Sequence, residues 1–379
     1  MNHSKSVNPL QALLELSAGE QLRHGLQHTP QEIARQPQTW RTTFQLVQEN
    51  RAAVDDFLTA GPPENVIFSG AGTSDYIGQC LVPLWRRNGY KHTSAIPSTT
   101  LLTELDDYLR PADDCLLVSI SRSGASPEGV AVLEETLKKY PRARHLVITC
   151  NRQGQMAQLA AAPNAFCLVL DESTNDQGLA MTASFSNLLL AGQLIAAPDF
   201  INIDTLCEAG AEMLAQAARL AFDLAARDFT RACFLGAGAF YGVARESALK
   251  TMELTAGRIL TMAETPLGLR HGPLSALDAN TLLVLFLSGD KQRRAYEIRL
   301  LEEIKGKNLG CAQVVVTNGA DAPADVTLNY QTPTLPDLYR PPVDAIFGQL
   351  FGLFASLRHG LQPDTPSPSG AINRVVSSI

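Results

Sequence analysis

Three residues of chemical interest fall within 30 positions of one another: Lys250, Glu253 and His271. The run Arg245-Glu246-Ser247-Ala248-Leu249-Lys250-Thr251-Met252-Glu253-Leu254-Thr255-Ala256-Gly257 predicts one helix, with Gly257 as its stop. Lys250 and Glu253 stand at i and i+3, about one turn apart on one face. Their order, lysine first, is not the favoured one for a surface ion pair. Downstream, His271 sits in Gly268-Leu269-Arg270-His271-Gly272-Pro273, a loop fenced by glycines and a proline. A base on a rigid helix and a histidine on a loop suit proton transfer on a small substrate. The alternative is a solvated Lys/Glu face followed by a turn histidine.

Two further stretches carry hydroxyls. Gly70-Ala71-Gly72-Thr73-Ser74 follows the apolar run Asn65–Ser69, and Ser121-Arg122-Ser123-Gly124-Ala125-Ser126 follows Cys115–Ile120. In an open parallel sheet, ligands bind at the carboxyl ends of strands, where helix N-termini point their free amides. Ser74, Ser121, Ser123 and Ser126 around such amides suit a phosphate monoester, with Gly124 allowing close approach. Any one of these serines alone reads equally as a helix cap. A nucleotide P-loop would need a Gly-Lys-Ser/Thr lysine, which is missing. A dinucleotide fingerprint also fails, because Asp75 and, in the second half, Tyr241 stand where the third glycine belongs.

The elements that must position these groups follow an α/β pattern. Short apolar runs at 65–69, 115–120, 145–150 and 165–170 alternate with helical stretches, which implies a parallel sheet covered on both faces. The order then returns at 232–235, 281–287 and 312–316. The landmarks Gly70/Gly236, Ser121/Ser288 and Thr149/Thr317 are offset by 166, 167 and 168 residues. This is an internal duplication, two similar α/β domains joined near residues 198–212. Residues 1–60 read as a polar-rich helical arm for packing, and Gln362–Gly370 is too turn-rich for helix or strand.

Composition bounds the alternatives. The 379 residues suit two domains, and 45% apolar with 18% charged residues can bury sizeable cores. A net charge of −7 with no basic run argues against a nucleic-acid surface. No apolar run approaches the ~20 residues of a membrane span. The seven cysteines never form Cys-x-x-Cys, which points to reduced thiols and a cytoplasmic setting. No His/Cys/Asp cluster has metal-ligand spacing.

Gly72-Thr73-Ser74, Ser121-x-Ser123-Gly-x-Ser126, Glu246-x-Ala-Leu-Lys250-x-x-Glu253 and His271-Gly-Pro together resemble the sugar isomerase (SIS) family. The likeness covers roughly residues 30–379. It extends to the isomerase half of glucosamine-6-phosphate synthase and, through Arg270-His-Gly-Pro and Asn373-Arg-Val-Val, to galactosamine-6-phosphate deaminases of the AgaS type. The resemblance implies two tandem SIS domains, each a parallel sheet flanked by helices in a flavodoxin-like three-layer sandwich. The expected divisions are 1–48 for the arm, 49–205 for the first domain and 206–379 for the second with its tail.

Residue by residue, the resemblance implies that Ser74, Ser121, Arg122, Ser123 and Ser126 hold the phosphate. Glu253 would move a proton between C2 and C1, and His271 would open the sugar ring, supplied in relatives by the neighbouring subunit. Lys250 would sit beside the open chain. Gly72, Thr73, Thr182, Ser184, Asn373 and Arg374 would contact the sugar. Two departures matter: Asn373-Arg374 stands where the synthase tail carries a Schiff-base lysine, and residue 2 is Asn, not the glutaminase cysteine. The implied reaction is therefore amine removal from a hexosamine 6-phosphate, galactosamine 6-phosphate first, by a homo-oligomer with no cofactor or metal. Plain aldose–ketose isomerisation, glucosamine 6-phosphate as substrate, and a non-catalytic phosphosugar sensor are the alternatives.

Overall fold

The structure, a computed structural model, describes residues 8–61, 63–197, 202–331 and 335–376. It opens with short helices: α1 (Pro9–Leu14), α2 (Ala18–His24), α3 (Thr29–Ala34), α4 (Gln36–Glu49) and α5 (Arg51–Thr59). Their boundaries follow local chemistry. Asn8 caps α1 by accepting from the Leu10 amide, and Ser17 and Glu20 form a reciprocal capping box on α2.

The first sheet is built from β1 (Asn65–Ser69), β2 (His92–Ala95), β3 (Cys115–Ser121), β4 (Arg144–Thr149) and β5 (Ala165–Val169), all parallel, in the order β2-β1-β3-β4-β5. Its connections are α6 (Thr73–Arg87), α7 (Ser98–Tyr108), α8 (Pro127–Lys139) and α9 (Gln155–Leu159). After β5 come α10 (Ala183–Ala196) and α11 (Ile203–Ala225). The second domain follows with β6 (Arg231–Gly236), α12 (Ala239–Leu254), β7 (Leu260–Glu264), β8 (Thr281–Phe286), α13 (Lys291–Gly306), β9 (Ala312–Asn318), β10 (Val326–Tyr330) and α14 (Pro341–Arg358). Read as β7-β6-β8-β9-β10, the second sheet repeats the strand order of the first and is again parallel. The duplication expected from the offsets is present as two tandem SIS domains.

Three strands carry no apolar run and escape sequence reading: β2, β7 and β10. Each lies at a sheet edge and is largely half-exposed, so alternation with polar residues replaces the continuous Val/Ile/Leu signal of the buried strands. The predicted helix at Arg245–Gly257 starts six residues earlier, at Ala239. Gly242 hides that start because it is a poor helix former. Its role is contact: a Cβ there would meet Cys80 Sγ at 2.4 Å and the Tyr76 carbonyl oxygen at 2.6 Å, so α12 and α6 cross almost backbone to backbone.

The core runs between the two sheets. On α10 every side chain from Ala183 to Ile195 is buried, as is every one on α14 from Pro341 to Ser356, which is why neither helix has a polar face. The N-terminal segment is part of this core. Trp40 is fully buried, donates through Nε1 to Ser186 Oγ at 2.8 Å, and fills the space that a Cβ on Gly210 would occupy. The expected divisions at 48/49 and 205/206 meet the last turn of α4 and the first turn of α11. Residues 198–201 of the expected join, like residues 1–7 of the arm, lie outside the described residues.

Candidate active site

A cavity of about 430 Å³ opens where β1 and β3 end. The Gly70–Gly72 turn forms one edge. Gly70 is dictated by packing, since a Cβ there would lie 2.5 Å from Ser74 Cβ, and Gly72 takes φ 55°, a left-handed value that suits glycine. The turn delivers Thr73 and Ser74 on the first turn of α6. The second edge is the loop from Ser121 to Ser126, which leads into α8 with Pro127 in its first turn. Ser121 Oγ accepts from the Gly124 amide at 3.0 Å and Ser123 Oγ from the Ala125 amide at 3.2 Å. Gly124, at φ 60°, lies where a Cβ would press on Thr149 Oγ1 and Gly154. Ser74 and Ser126 line the cavity, and neither hydroxyl is hydrogen-bonded among the described residues. Two helix starts and four hydroxyls converge here, which is the chemistry of an anion cradle.

Facing this cradle is the last part of α12. Glu246, Lys250 and Glu253 fall at i, i+4 and i+7, so one face carries all three. Lys250 Nζ is 2.5 Å from Glu253 Oε2, 3.1 Å from Thr73 Oγ1 and 3.5 Å from Glu246 Oε1. Lys250 and Glu246 are each 1% exposed, whereas Glu253 is 22% exposed and opens to the cavity. Burial, opposed by Lys250, pushes the Glu246 carboxyl up to about 7. Burial also works against the Lys250 charge, but Glu246 and Glu253 outweigh it and leave the ammonium raised. The accessible member of the trio is therefore a carboxylate held against a fixed cation. Glu246 is absent from the sequence-derived site, although its heptad-like spacing to Lys250 and Glu253 was the available signal.

The C-terminal tail closes the third side. Asn373 and Arg374 both line the cavity, Asn373 exposed at its rim and Arg374 tied by its guanidinium to the first domain. Arg374 Nε donates to the Asp176 carbonyl at 2.8 Å, and its Nη2 donates to Asn175 Oδ1 at 2.8 Å. Arg122 makes the reciprocal tie. Its guanidinium donates to the carbonyls of Gly178, Leu179 and Arg374, the last at 2.6 Å. Arg122 lines the cavity beside the cradle serines, 5% exposed, and its hydrogen bonds fasten the tail to the first domain.

The expected sugar contacts Thr182 and Ser184 are not among the residues that line the cavity. Thr182 and Ser184 are fully buried and bind Asp176, with the Ser184 hydroxyl at 2.6 Å and the Thr182 amide at 2.7 Å from Oδ2. Asp176 thereby takes up the free amides at the head of α10, and it is Met181 next door that lines the cavity, with Leu179 and Leu249. His271 is exposed, beyond a short turn at Gly268–Arg270, and is not among the residues lining the cavity of its own chain. Among the described residues no trio of His, Cys, Asp and Glu side chains converges as a metal site requires.

No family model matches the chain. It is 37% identical over 366 residues to the D-galactosamine-6-phosphate deaminase AgaS of Escherichia coli, covering 93% of this chain and 94% of that protein. The chain belongs to the AgaS family. A second AgaS protein of the same description, from Shewanella sp. (strain ANA-3), is 33% identical and covers 97% of this chain and 94% of its own. The crystal structure of tagatose-6-phosphate ketose/aldose isomerase from Escherichia coli superposes with a TM-score of 0.83 at 34% identity, over 89% of this chain and 95% of that one. At 20% identity, the C-terminal domain of glucosamine-fructose-6-phosphate aminotransferase from Francisella tularensis shares the fold, with a TM-score of 0.74. The AgaS family thus has in this member a serine cradle, a Glu-Lys-Glu row whose Glu253 opens to the cavity, and a tail pinned across them.

Proposed function

We propose that this chain is an aminosugar-phosphate deaminase that converts D-galactosamine 6-phosphate and water to D-tagatose 6-phosphate and ammonia. The observation that carries this reading is Glu253, a half-buried carboxylate held at 2.5 Å by a buried lysine, opposite an anion cradle in one cavity. Family membership at 37% identity over nearly the whole chain supports it.

In this reading the phosphate rests on Ser74, Ser121, Ser123 and Ser126 and the amides at the heads of α6 and α8. Ring opening exposes an aldehyde at C1, which acidifies the C2 proton. Glu253 takes that proton and the C2–H electron pair forms the C1=C2 bond, giving an enolamine. Return of the proton to C1 leaves a ketimine at C2. Water adds to C2, the C–N bond breaks, and the products are the ketose and ammonia. Lys250 holds the carboxylate in place and stabilises negative charge that develops on O1. Gly72 and Thr73 border the sugar's C1 end, and Asn373 borders its far edge. His271 acts as the ring-opening acid from a second copy of the chain, because it stands outside the cavity of its own.

The setting is cytoplasmic in this reading. All seven cysteines are free, six of them buried, and no helix among the described residues is long and apolar enough to cross a membrane. Aldose–ketose isomerisation without amine loss is the second reading, favoured by the description of the Escherichia coli structure. Ammonia release from galactosamine 6-phosphate and glucosamine 6-phosphate, measured side by side, separates the readings. Release from the galacto epimer supports the proposal. Release from neither, with ketose formed from an amine-free aldose 6-phosphate, replaces it with the second reading.

A further inference from the structure

The second domain has a cavity of its own, about 480 Å³, at the place equivalent to the first. It opens beyond the carboxyl ends of β6, β8 and β9, the counterparts of β1, β3 and β4. The duplicated turn is conserved in shape: Gly238 has φ 62° and ψ −125°, against 55° and −124° at Gly72. The hydroxyl-rich loop, however, has become Ser288-Gly289-Asp290, and the polar lining is carried by Arg87, Arg293 and Arg294.

Arg87 is exposed at the end of α6, whereas Arg293 and Arg294 sit where a helix dipole disfavours a cation. Arg293 and Arg294 lie in the first turn of α13, which has no acidic residue there, and the Arg293 guanidinium stands over the head of α12, 3.3 Å from where a Gly238 Cβ would be. Both positions put positive charge at the positive end of a helix dipole. The two carboxylates in the lining are already engaged. Asp337 accepts from Ser288 Oγ, the Gly289 amide and Arg340, while Asp290 caps α13 by accepting from the Arg293 amide. Arg87 and Arg293 make no side-chain hydrogen bond and no ion pair within 4 Å among the described residues. Three guanidinium groups around a cavity the size of the first, two of them with no direct partner among the described residues and the Asp290 carboxylate facing them, suit an anion with several acceptor oxygens.

We propose that this second cavity binds a phosphorylated small molecule, a phosphate monoester of sugar size, separately from the catalytic cavity. The two cavities are joined by one antiparallel helix pair. α6 offers Thr73 and Ser74 to the first cavity and Pro83 and Arg87 to the second, while α12 offers Gly238 and Ala239 to the second and Lys250 and Glu253 to the first. A ligand in the second cavity therefore bears on the helices that carry the reacting groups.

The test is calorimetric titration of the intact protein with galactitol 6-phosphate, which has no C1 aldehyde and cannot turn over, in phosphate-free buffer at low salt. Two sites per chain are expected. Arg293→Ala, an unpaired side chain whose loss spares the fold, should weaken one site by ~10-fold or more while Ser123→Ala weakens the other. A single site per chain that responds to Ser123→Ala and ignores Arg293→Ala overturns the proposal, as do two sites that both ignore Arg293→Ala. Turnover of galactosamine 6-phosphate bears on the catalytic reading alone. Its absence in the unsubstituted protein would sink that reading and leave an Arg293-dependent site standing.

Discussion

Replacing Glu253 by glutamine probes the catalytic reading most directly, because the exchange is isosteric and the surroundings can hold it. The amide oxygen can still accept from Lys250 Nζ, now 2.5 Å from Oε2, and no void is created. Lys250 keeps its partner Glu246 at 3.5 Å, so the buried ammonium is not left unpaired. The stability cost should therefore be ~1–3 kcal/mol, below the ~3–5 kcal/mol for stripping a buried charge of its partner. Catalysis should suffer far more. A positioned general base contributes ~10²–10⁴-fold, or about 3–5.5 kcal/mol of barrier at 1.36 kcal/mol per decade. The assay is steady-state ammonia release together with proton NMR in heavy water, which reports exchange at C1 and C2. Both should fall by that factor with KM little changed, since the phosphate cradle lies on the opposite wall. A kcat within tenfold of the unsubstituted protein, with exchange intact, would refute the assignment. If Glu246→Gln instead carried the full loss, the base would be the buried carboxylate.

Ser123→Ala removes one hydroxyl of the cradle and should raise KM for the phosphorylated sugar roughly tenfold, with a smaller fall in kcat; unchanged constants in steady-state assays would remove Ser123 from the cradle. Glu32 tests a buried charge away from the chemistry. Burial first, then the neighbouring Asp176 carboxylate, pushes its carboxyl from 4.5 up to about 8, against amides of Gln177 and Gly178. A raised carboxyl stabilises the fold fully below about 4.5 and loses that contribution as pH rises through about 8. The span from 4.5 to about 8 corresponds to roughly 4–5 kcal/mol. Glu32→Gln cannot ionise, so its melting temperature should fall less than the unsubstituted protein's as pH rises from about 4.5 to about 8; parallel melting curves over that range would contradict the assigned cause. Finally, inactive Glu253→Gln and His271→Asn chains, mixed and allowed to exchange subunits, should recover about a quarter of full activity if a dimer shares His271 across its interface. No recovery under demonstrated exchange would place His271 in the site of its own chain.

Much of this protein is readable one residue at a time. The buried strands β1, β3, β4, β6, β8 and β9 announce themselves because a strand covered on both faces must be apolar throughout, and the half-exposed edge strand β5 is still legible from its apolar run. The duplication follows from the constant offset between Gly70/Gly236, Ser121/Ser288 and Thr149/Thr317. The juxtaposition of Lys250 with Glu253 follows from helical spacing alone, and the glycine and serine turns from the geometry of strand ends. These are local facts, decided by neighbours along the chain.

What folding adds comes from residues far apart in sequence. Thr73 reaches Lys250 across 177 positions, and Arg122 reaches Arg374 across 252. The types of these residues do not say which way the side chains turn. Nothing in the residue type of Arg122 says that the carbonyls of Gly178, Leu179 and Arg374 hold its guanidinium in the cavity wall. Thr182 and Ser184 read as sugar contacts until Asp176 claims both hydroxyls. The edge strands and the early start of α12 are hidden for a related reason, since half-exposed strands and a packing glycine take their identity from the surface they meet. Composition and spacing determine which groups can do chemistry. The tertiary structure decides which remain available for it, because every buried donor and acceptor must find a partner, and the nearest one in space is often remote in sequence.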